Sequence, residues 1–96
     1  MTAYTSEQIA AELATRPGWS VENGELARAY TLETYRLGVR FAVAVAQSAE
    51  DHDHHPTLVI GYKTVLVTVS THDAGGITAK DFSLADAADG HYASLV

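Results

Sequence analysis

Residues 19–32 read Trp-Ser-Val-Glu-Asn-Gly-Glu-Leu-Ala-Arg-Ala-Tyr-Thr-Leu, and the centre of this stretch decides the fold. Asn23-Gly24 is a two-residue hairpin signal, because both central positions of a type I′ turn take positive φ, which Asn and Gly tolerate. The turn makes Trp19–Val21 a short strand and Leu26–Leu32 its return. Leu26, Tyr30 and Leu32 then share one face, with Ala27, Ala29 and Thr31 on the other. A second hairpin follows downstream. Thr57–Ile60 and Thr64–Thr71 are β-branched runs flanking Gly61-Tyr62-Lys63. In its return strand Val65, Val67 and Val69 share a face, while Leu66, Thr68, Ser70 and His72 share the opposite one.

Helices are expected around these hairpins. Thr5 followed by Gln8 is a capping-box pattern, and Ile9, Ala10 and Leu13 repeat at helical spacing until Arg16-Pro17-Gly18 stops them. Thr34–Asp51 alternates in part like a strand, but it is Ala-rich, lacks Pro and is too long for one. It is read as a helix with Thr34 as N-cap and an apolar face through Gly38, Phe41, Ala42, Val45 and Ala49. Gly38 costs about 1 kcal/mol against Ala in a helix, which suggests a close backbone contact there. Ala74-Gly75-Gly76 is a loop. Thr78 caps a last helix running to about Asp89, with Asp81 in its first turn and Gly90 as the C′ residue. The expected fold is α+β, in the order α-β-β-α-β-β-α. A four-stranded antiparallel sheet carries the helices on one face.

Composition narrows the function. The chain has 96 residues, no cysteine and a formal charge of -6, from twelve acidic and six basic residues. Residues 1–96 are expected to form one domain, with a thin core that oligomerisation would help. A disulfide framework, a thiolate zinc site and a cysteine nucleophile are excluded. The six cations are scattered, which disfavours direct nucleic-acid binding. No apolar run is long enough to span a membrane, and the first ten residues lack the features of a signal peptide, so a cytoplasmic location is expected.

The chemistry concentrates in Glu50-Asp51-His52-Asp53-His54-His55-Pro56, which holds three of the five histidines. Hairpin geometry brings a fourth, His72, to the same end as His54 and His55. Three readings account for such a cluster: a solvated acidic loop, a metal site, or acid/base catalysis. Histidine changes charge between about pH 5 and 8, so it serves as donor or acceptor at neutral pH. Glu50 and Asp81 are carboxylates able to orient an imidazole. No standard zinc spacing such as HExxH is present. Trp19 is expected in the core, Tyr62 packed on its turn, and His52 and His91 in solvent.

The run Glu50, His54-His55-Pro56, Tyr62, His72, Asp81 resembles the signature of the pterin-4a-carbinolamine dehydratases. That signature is an acidic residue, His-His-Pro, an aromatic, a further His and an Asp. Ser70-Thr71-His72-Asp73, Gly18-Trp19 and Ala49-Glu50 also match, so the resemblance runs from about Thr5 to Ala88. Two positions depart: an aromatic that often follows the His-His-Pro is Leu58 here, and a cysteine of animal members is Ala74. The resemblance implies dehydration of 4a-hydroxytetrahydrobiopterin to quinonoid dihydropterin, with no cofactor or metal required. It implies His54 and His72 as the acid/base pair, His55 in substrate binding, and Glu50 and Asp81 as groups that orient imidazoles. Pro56, Ser70 and Thr71 would flank the pterin, with backbone near Ser70-Thr71-His72 bonding its amide-like edge. It also implies a homodimer or homotetramer and a functional link to an aromatic amino acid hydroxylase. The alternative it carries is a non-catalytic interaction module, since animal members also act as dimerisation cofactors of a transcription factor.

Overall fold

The computed structural model describes residues 2–96. Along them run α1 (Ser6–Leu13), β1 (Ser20–Glu22), β2 (Glu25–Thr31), α2 (Tyr35–His52), β3 (Thr57–Ile60), β4 (Thr64–Val69), a 3-10 turn (His72–Ala74) and α3 (Ala79–Leu95). The fold is the expected α+β arrangement, α-β-β-α-β-β-α. The sheet is antiparallel throughout, with strand order β1-β2-β4-β3. No described helix is long and apolar enough to cross a membrane.

Local signals act where the residue types dictate. Asn23 and Gly24 take φ of 53° and 79°, the left-handed pair that a type I′ turn demands. The Thr5 hydroxyl accepts from the Gln8 N–H at 3.2 Å, and the Gln8 side chain accepts from the Thr5 N–H at 2.8 Å. Thr34 caps α2 through the Leu37 N–H at 3.1 Å. The inward face of the sheet carries Leu26, Tyr30, Val65, Val67 and Val69, all buried. The helices cover it with Phe41, Ala42, Val45 and Ala49 from α2 and Phe82, Ala85 and Ala88 from α3, while Ile9 and Leu13 of α1 pack at its margin. The outward face stays open: Ala29, Val59 and Leu66, one cross-sheet row, are exposed.

Three expectations need correction. β4 ends at Val69, so His72 lies in a 3-10 turn and not on a strand face. The reason is a bridge in which Thr71 and Gly76 exchange N–H···O=C bonds of 2.8 and 3.3 Å, closing the intervening loop. α3 runs past Gly90 to Leu95. Tertiary contacts there outweigh the glycine: Tyr92 packs on Tyr30 with ring centroids 4.9 Å apart and donates its hydroxyl to the Thr31 carbonyl at 2.8 Å. At Gly38 an added Cβ would meet Val65 Cγ2 at 3.5 Å, an ordinary contact, so the site does not demand glycine. Trp19 is buried as expected, and Tyr62 is exposed at its turn.

One polar knot escaped the sequence reading. Arg28 points inward from β2, with its guanidinium 4.5 Å from the Tyr30 ring centroid and 5.7 Å from that of Tyr92. It donates to Asp89 of α3 at 2.8 Å. The same carboxylate accepts from Trp19 Nε1 at 3.0 Å and from the Tyr30 hydroxyl at 2.5 Å. The pKa of the Tyr30 phenol is raised, first by burial and then by the hydrogen bond to Asp89 and its negative charge.

Two outcomes follow from this packing. Gly38→Ala is expected to raise stability by about 1 kcal/mol, read from urea unfolding midpoints, because it removes the helix cost of glycine without a clash. Native Tyr30 keeps its proton where the unfolded chain loses it, so the unfolded state binds fewer protons above about pH 10 and stability falls there. Urea titrations from about pH 8 upward are expected to show a shallower alkaline decline in Tyr30→Phe than in the parent chain.

Candidate active site

The loop that leaves α2 is set by its helix cap. Asp53 takes the left-handed conformation with φ 50°, which Asp tolerates better than most non-glycine residues. Its N–H reaches the Glu50 carbonyl at 3.2 Å, and the His54 N–H reaches that of Ala49 at 3.0 Å. The chain therefore reverses at once and brings His54 against the start of α3.

There His54 meets Asp81, which is fully buried. His54 Nε2 donates to Asp81 Oδ1 at 2.5 Å. The other oxygen, Oδ2, accepts from the Thr78 N–H and from the Thr71 hydroxyl, both at 2.8 Å. The Thr71 and Thr78 hydroxyls are themselves 2.7 Å apart, and Thr78 Oγ1 accepts from the Lys80 N–H at 3.2 Å. Asp81 thus completes the capping box of α3 and orients an imidazole with one carboxylate. Among the described residues no buried side-chain nitrogen or oxygen lacks a partner. A neutral His54 with its proton on Nε2 presents Nδ1 as an acceptor.

A cleft of about 300 Å³ opens beside this network, lined by Asp53, His54, His55, Ser70, Thr71, His72, Asp73 and Lys80. The structure thus brings His54, His55, His72, Ser70 and Thr71 together. Glu50, Pro56 and Asp81 are not among its lining. Glu50 accepts from His55 Nε2 at 2.6 Å, and both side chains are exposed. Pro56 is half-buried just before β3, and Asp81 lies beneath His54. Ser70 is anchored from β2 by Glu25, whose carboxylate accepts its hydroxyl at 3.3 Å. The Thr71 N–H and carbonyl both pair with Gly76, so this backbone is not the open strand edge expected for ligand contact.

Asp53, Asp73 and Lys80 also line the cleft; the two carboxylates were named from sequence only within longer motifs, and Lys80 not at all. The adjacency of Asp53 to His54 and of Lys80 to Asp81 was the available signal. His91, expected in solvent, is half-buried, with Nε2 hydrogen-bonded to the Ser48 hydroxyl at 2.7 Å. Among the described residues no group of three or more His, Cys, Asp or Glu is placed to hold a metal ion.

Comparisons with known proteins give the family. The family model for pterin 4 alpha carbinolamine dehydratase matches residues 2–91, and the chain belongs to that family. A Chloroflexus aurantiacus protein named "Putative pterin-4-alpha-carbinolamine dehydratase" is 44% identical over 89 residues, covering 93% of this chain and 96% of its own. A Streptomyces coelicolor protein of the same name is 45% identical over 90 residues, covering 88% and 89%. Among solved structures, a transcriptional coactivator/pterin dehydratase from Brucella melitensis superposes with a TM-score of 0.90 at 25% identity, over 95% of this chain and 99% of that one. A pterin dehydratase-like protein described as a RuBisCO assembly factor in the alpha-carboxysome superposes at 0.63, with 19% identity over 77% and 86%, a likeness of fold alone.

Asp81→Ala strips a partner from the Thr78 N–H, the Thr71 hydroxyl and His54 together. The expected cost is about 2–4 kcal/mol in urea unfolding, near the upper range for a single substitution, because buried groups are left unpaired. The NMR resonance of the His54 Nε2 proton is expected to be lost in the same variant.

Proposed function

We propose that this chain dehydrates 4a-hydroxytetrahydropterins to quinonoid dihydropterins, with 4a-hydroxytetrahydrobiopterin as the reference substrate. The observation that carries the reading is the His54–Asp81 pair at the wall of a cleft that His55 and His72 also line. Hydroxide leaves poorly, so an acid protonates the 4a-oxygen as the C–O bond breaks and the N5 lone pair forms the new double bond. A base then removes the N5 proton, and the balance is one water released with no redox change.

His54 is suited to the base role. Its Nε2–H is held by Asp81, which fixes the ring and leaves Nδ1 as the nitrogen able to take a proton. His72, on its short exposed turn, supplies the proton to the departing oxygen. His55, tied back by Glu50, contributes to substrate binding, and Ser70 and Thr71 line the cleft beside the pterin, with Pro56 shaping the chain that enters β3. The chemistry calls for no cofactor or metal. We further propose a cytoplasmic homodimer or homotetramer that recycles the product of an aromatic amino acid hydroxylase.

An interaction module on the same fold is the alternative, because one solved structure of this fold is described as a transcriptional coactivator/pterin dehydratase and another as an assembly factor. The presence of all three cleft histidines supports the enzyme, since a non-catalytic member would be expected to lose one or more of them.

The deciding assay follows dehydration of freshly generated 4a-hydroxytetrahydropterin by stopped flow, with and without chelator. Expected is a chelator-insensitive rate above the spontaneous reaction that drops roughly 10²–10⁴-fold in His54→Ala or His72→Ala. A folded parent chain with no rate above background would overturn the dehydratase reading.

A further inference from the structure

Glu25 opens β2 just after the first hairpin turn, and the pairing sets it against Glu22, so two carboxylates face each other across one rung. Like charges directly opposite are unfavourable in an antiparallel pair. No cation offsets them at Glu25, which forms no ion pair among the described residues. The turn does not call for it either, since the left-handed conformations fall at Asn23 and Gly24. A half-buried carboxylate held against a like charge points to a role outside the hairpin.

Its hydrogen-bond partner shows that role. Leu26 pairs with Val69, so one step further along the two chains Glu25 stands opposite Ser70. There the Ser70 hydroxyl donates to Glu25 Oε2 at 3.3 Å. A carboxylate has no proton to give, so the bond runs in one direction and commits the only proton of the hydroxyl. Ser70 lines the histidine cleft and Glu25 does not. What Ser70 has left for a ligand is therefore acceptor capacity alone. Thr71 gives the contrast. Its hydroxyl donates to Asp81 Oδ2, and its oxygen lies 2.7 Å from that of Thr78, so it is engaged on both sides within the protein. Of these two neighbouring hydroxyls, Ser70 is the one with lone pairs to spare.

We infer that Glu25 is a positioning residue for substrate binding: by accepting the hydrogen bond from Ser70, it fixes that hydroxyl as an acceptor for an N–H of the bound ring. The inference rests on the dehydratase reading for the identity of the ring, a pterin, whose pyrimidine half carries N–H donors. It adds a residue on β2, outside the cleft lining, whose charge sets the polarity of one cleft wall. Without that carboxylate the hydroxyl rotates, and part of the time it turns its proton toward the donors of the ring.

The test uses the full chain in a double-mutant cycle of Glu25→Leu, Ser70→Ala and the two together, with Glu25→Gln as the conservative variant. Dehydration of 4a-hydroxytetrahydrobiopterin gives kcat and KM, calorimetric titration gives the Kd of the stable 7,8-dihydrobiopterin, and urea unfolding gives stability. Glu25→Leu and Ser70→Ala are each expected to raise KM and Kd roughly three- to tenfold, the effect of one hydrogen bond, with kcat changed less than about twofold. The double variant is expected to match Ser70→Ala, because the carboxylate acts only through that hydroxyl. Glu25→Gln keeps an acceptor without the charge, and it is expected to fall between the parent and Glu25→Leu. Stability in Glu25→Leu is expected to hold or rise, since the charge opposite Glu22 is gone. Losses that multiply in the double variant overturn the inference, and so does a Glu25→Leu chain with parental KM and Kd. Weaker binding accompanied by a lower urea midpoint also overturns it, in favour of a purely structural role. If the parent chain does not turn over the carbinolamine, the dehydratase reading fails and the dihydrobiopterin cycle decides alone: a non-additive loss of affinity upholds Glu25, and equal affinities or no binding overturn it.

Discussion

A carboxylate with no exposure to solvent must find all its partners within the protein, and Asp81 organises this end of the molecule around that requirement. Its Oδ2 takes the Thr78 N–H and the Thr71 hydroxyl, and its Oδ1 takes His54. Three chain segments are joined at one residue: the exit from α2, the stretch after β4 and the first turn of α3. The contact that caps a helix is also the contact that orients an imidazole. Structural and chemical roles therefore cannot be separated by substitution at this position, and the cleft inherits the rigidity of the helix start.

A second carboxylate plays the corresponding part further along the same helix. Asp89 gathers Trp19, Arg28 and Tyr30 beneath the sheet, and Tyr92 closes over the arginine. The contrast between the two sites is in exposure. The Asp89 side chain keeps 30% of its surface in contact with solvent and pairs with a permanent cation, whereas Asp81 is buried against a titratable one. The first arrangement fastens α3 to the sheet. The second leaves a proton-carrying group at the cleft wall.

The sheet leaves one face open, with Ala29, Val59 and Leu66 outward, and the cleft is at its end, not on that face. Placement at the end follows from topology. β4 is central, flanked by β2 and β3, so the segment after it emerges beside the start of β3 and hence beside His54 and His55. Ser70 is steadied there by Glu25 at the start of β2, across the same strand end. The side chains that give the cleft its chemistry thus come from loops, held by the elements that enter and leave them.

Much of this was legible in the chain itself. Asn23-Gly24, the Thr5 capping box, the Thr78 cap and the β-branched runs on either side of Gly61 are local signals, and local backbone preferences enforce them. The gathering of His54, His55 and His72 could be reasoned from hairpin pairing, because antiparallel strands return to where they began. Other features had no local cause. Gly90 reads as a helix stop, yet α3 continues because Tyr92 has an aromatic partner in Tyr30 and an acceptor in Thr31. His72 reads as a strand residue, yet the Thr71–Gly76 bridge turns it out of the strand. In the sequence Arg28 is one of six scattered cations, yet Asp89, distant in sequence, draws it under the sheet. Sequence alone determined the order of the elements and the motifs whose histidines line the cleft, since both are written in short-range patterns. Where each helix ends and which carboxylate meets which partner were decided by tertiary structure, because those depend on side chains brought together only when the sheet and helices pack.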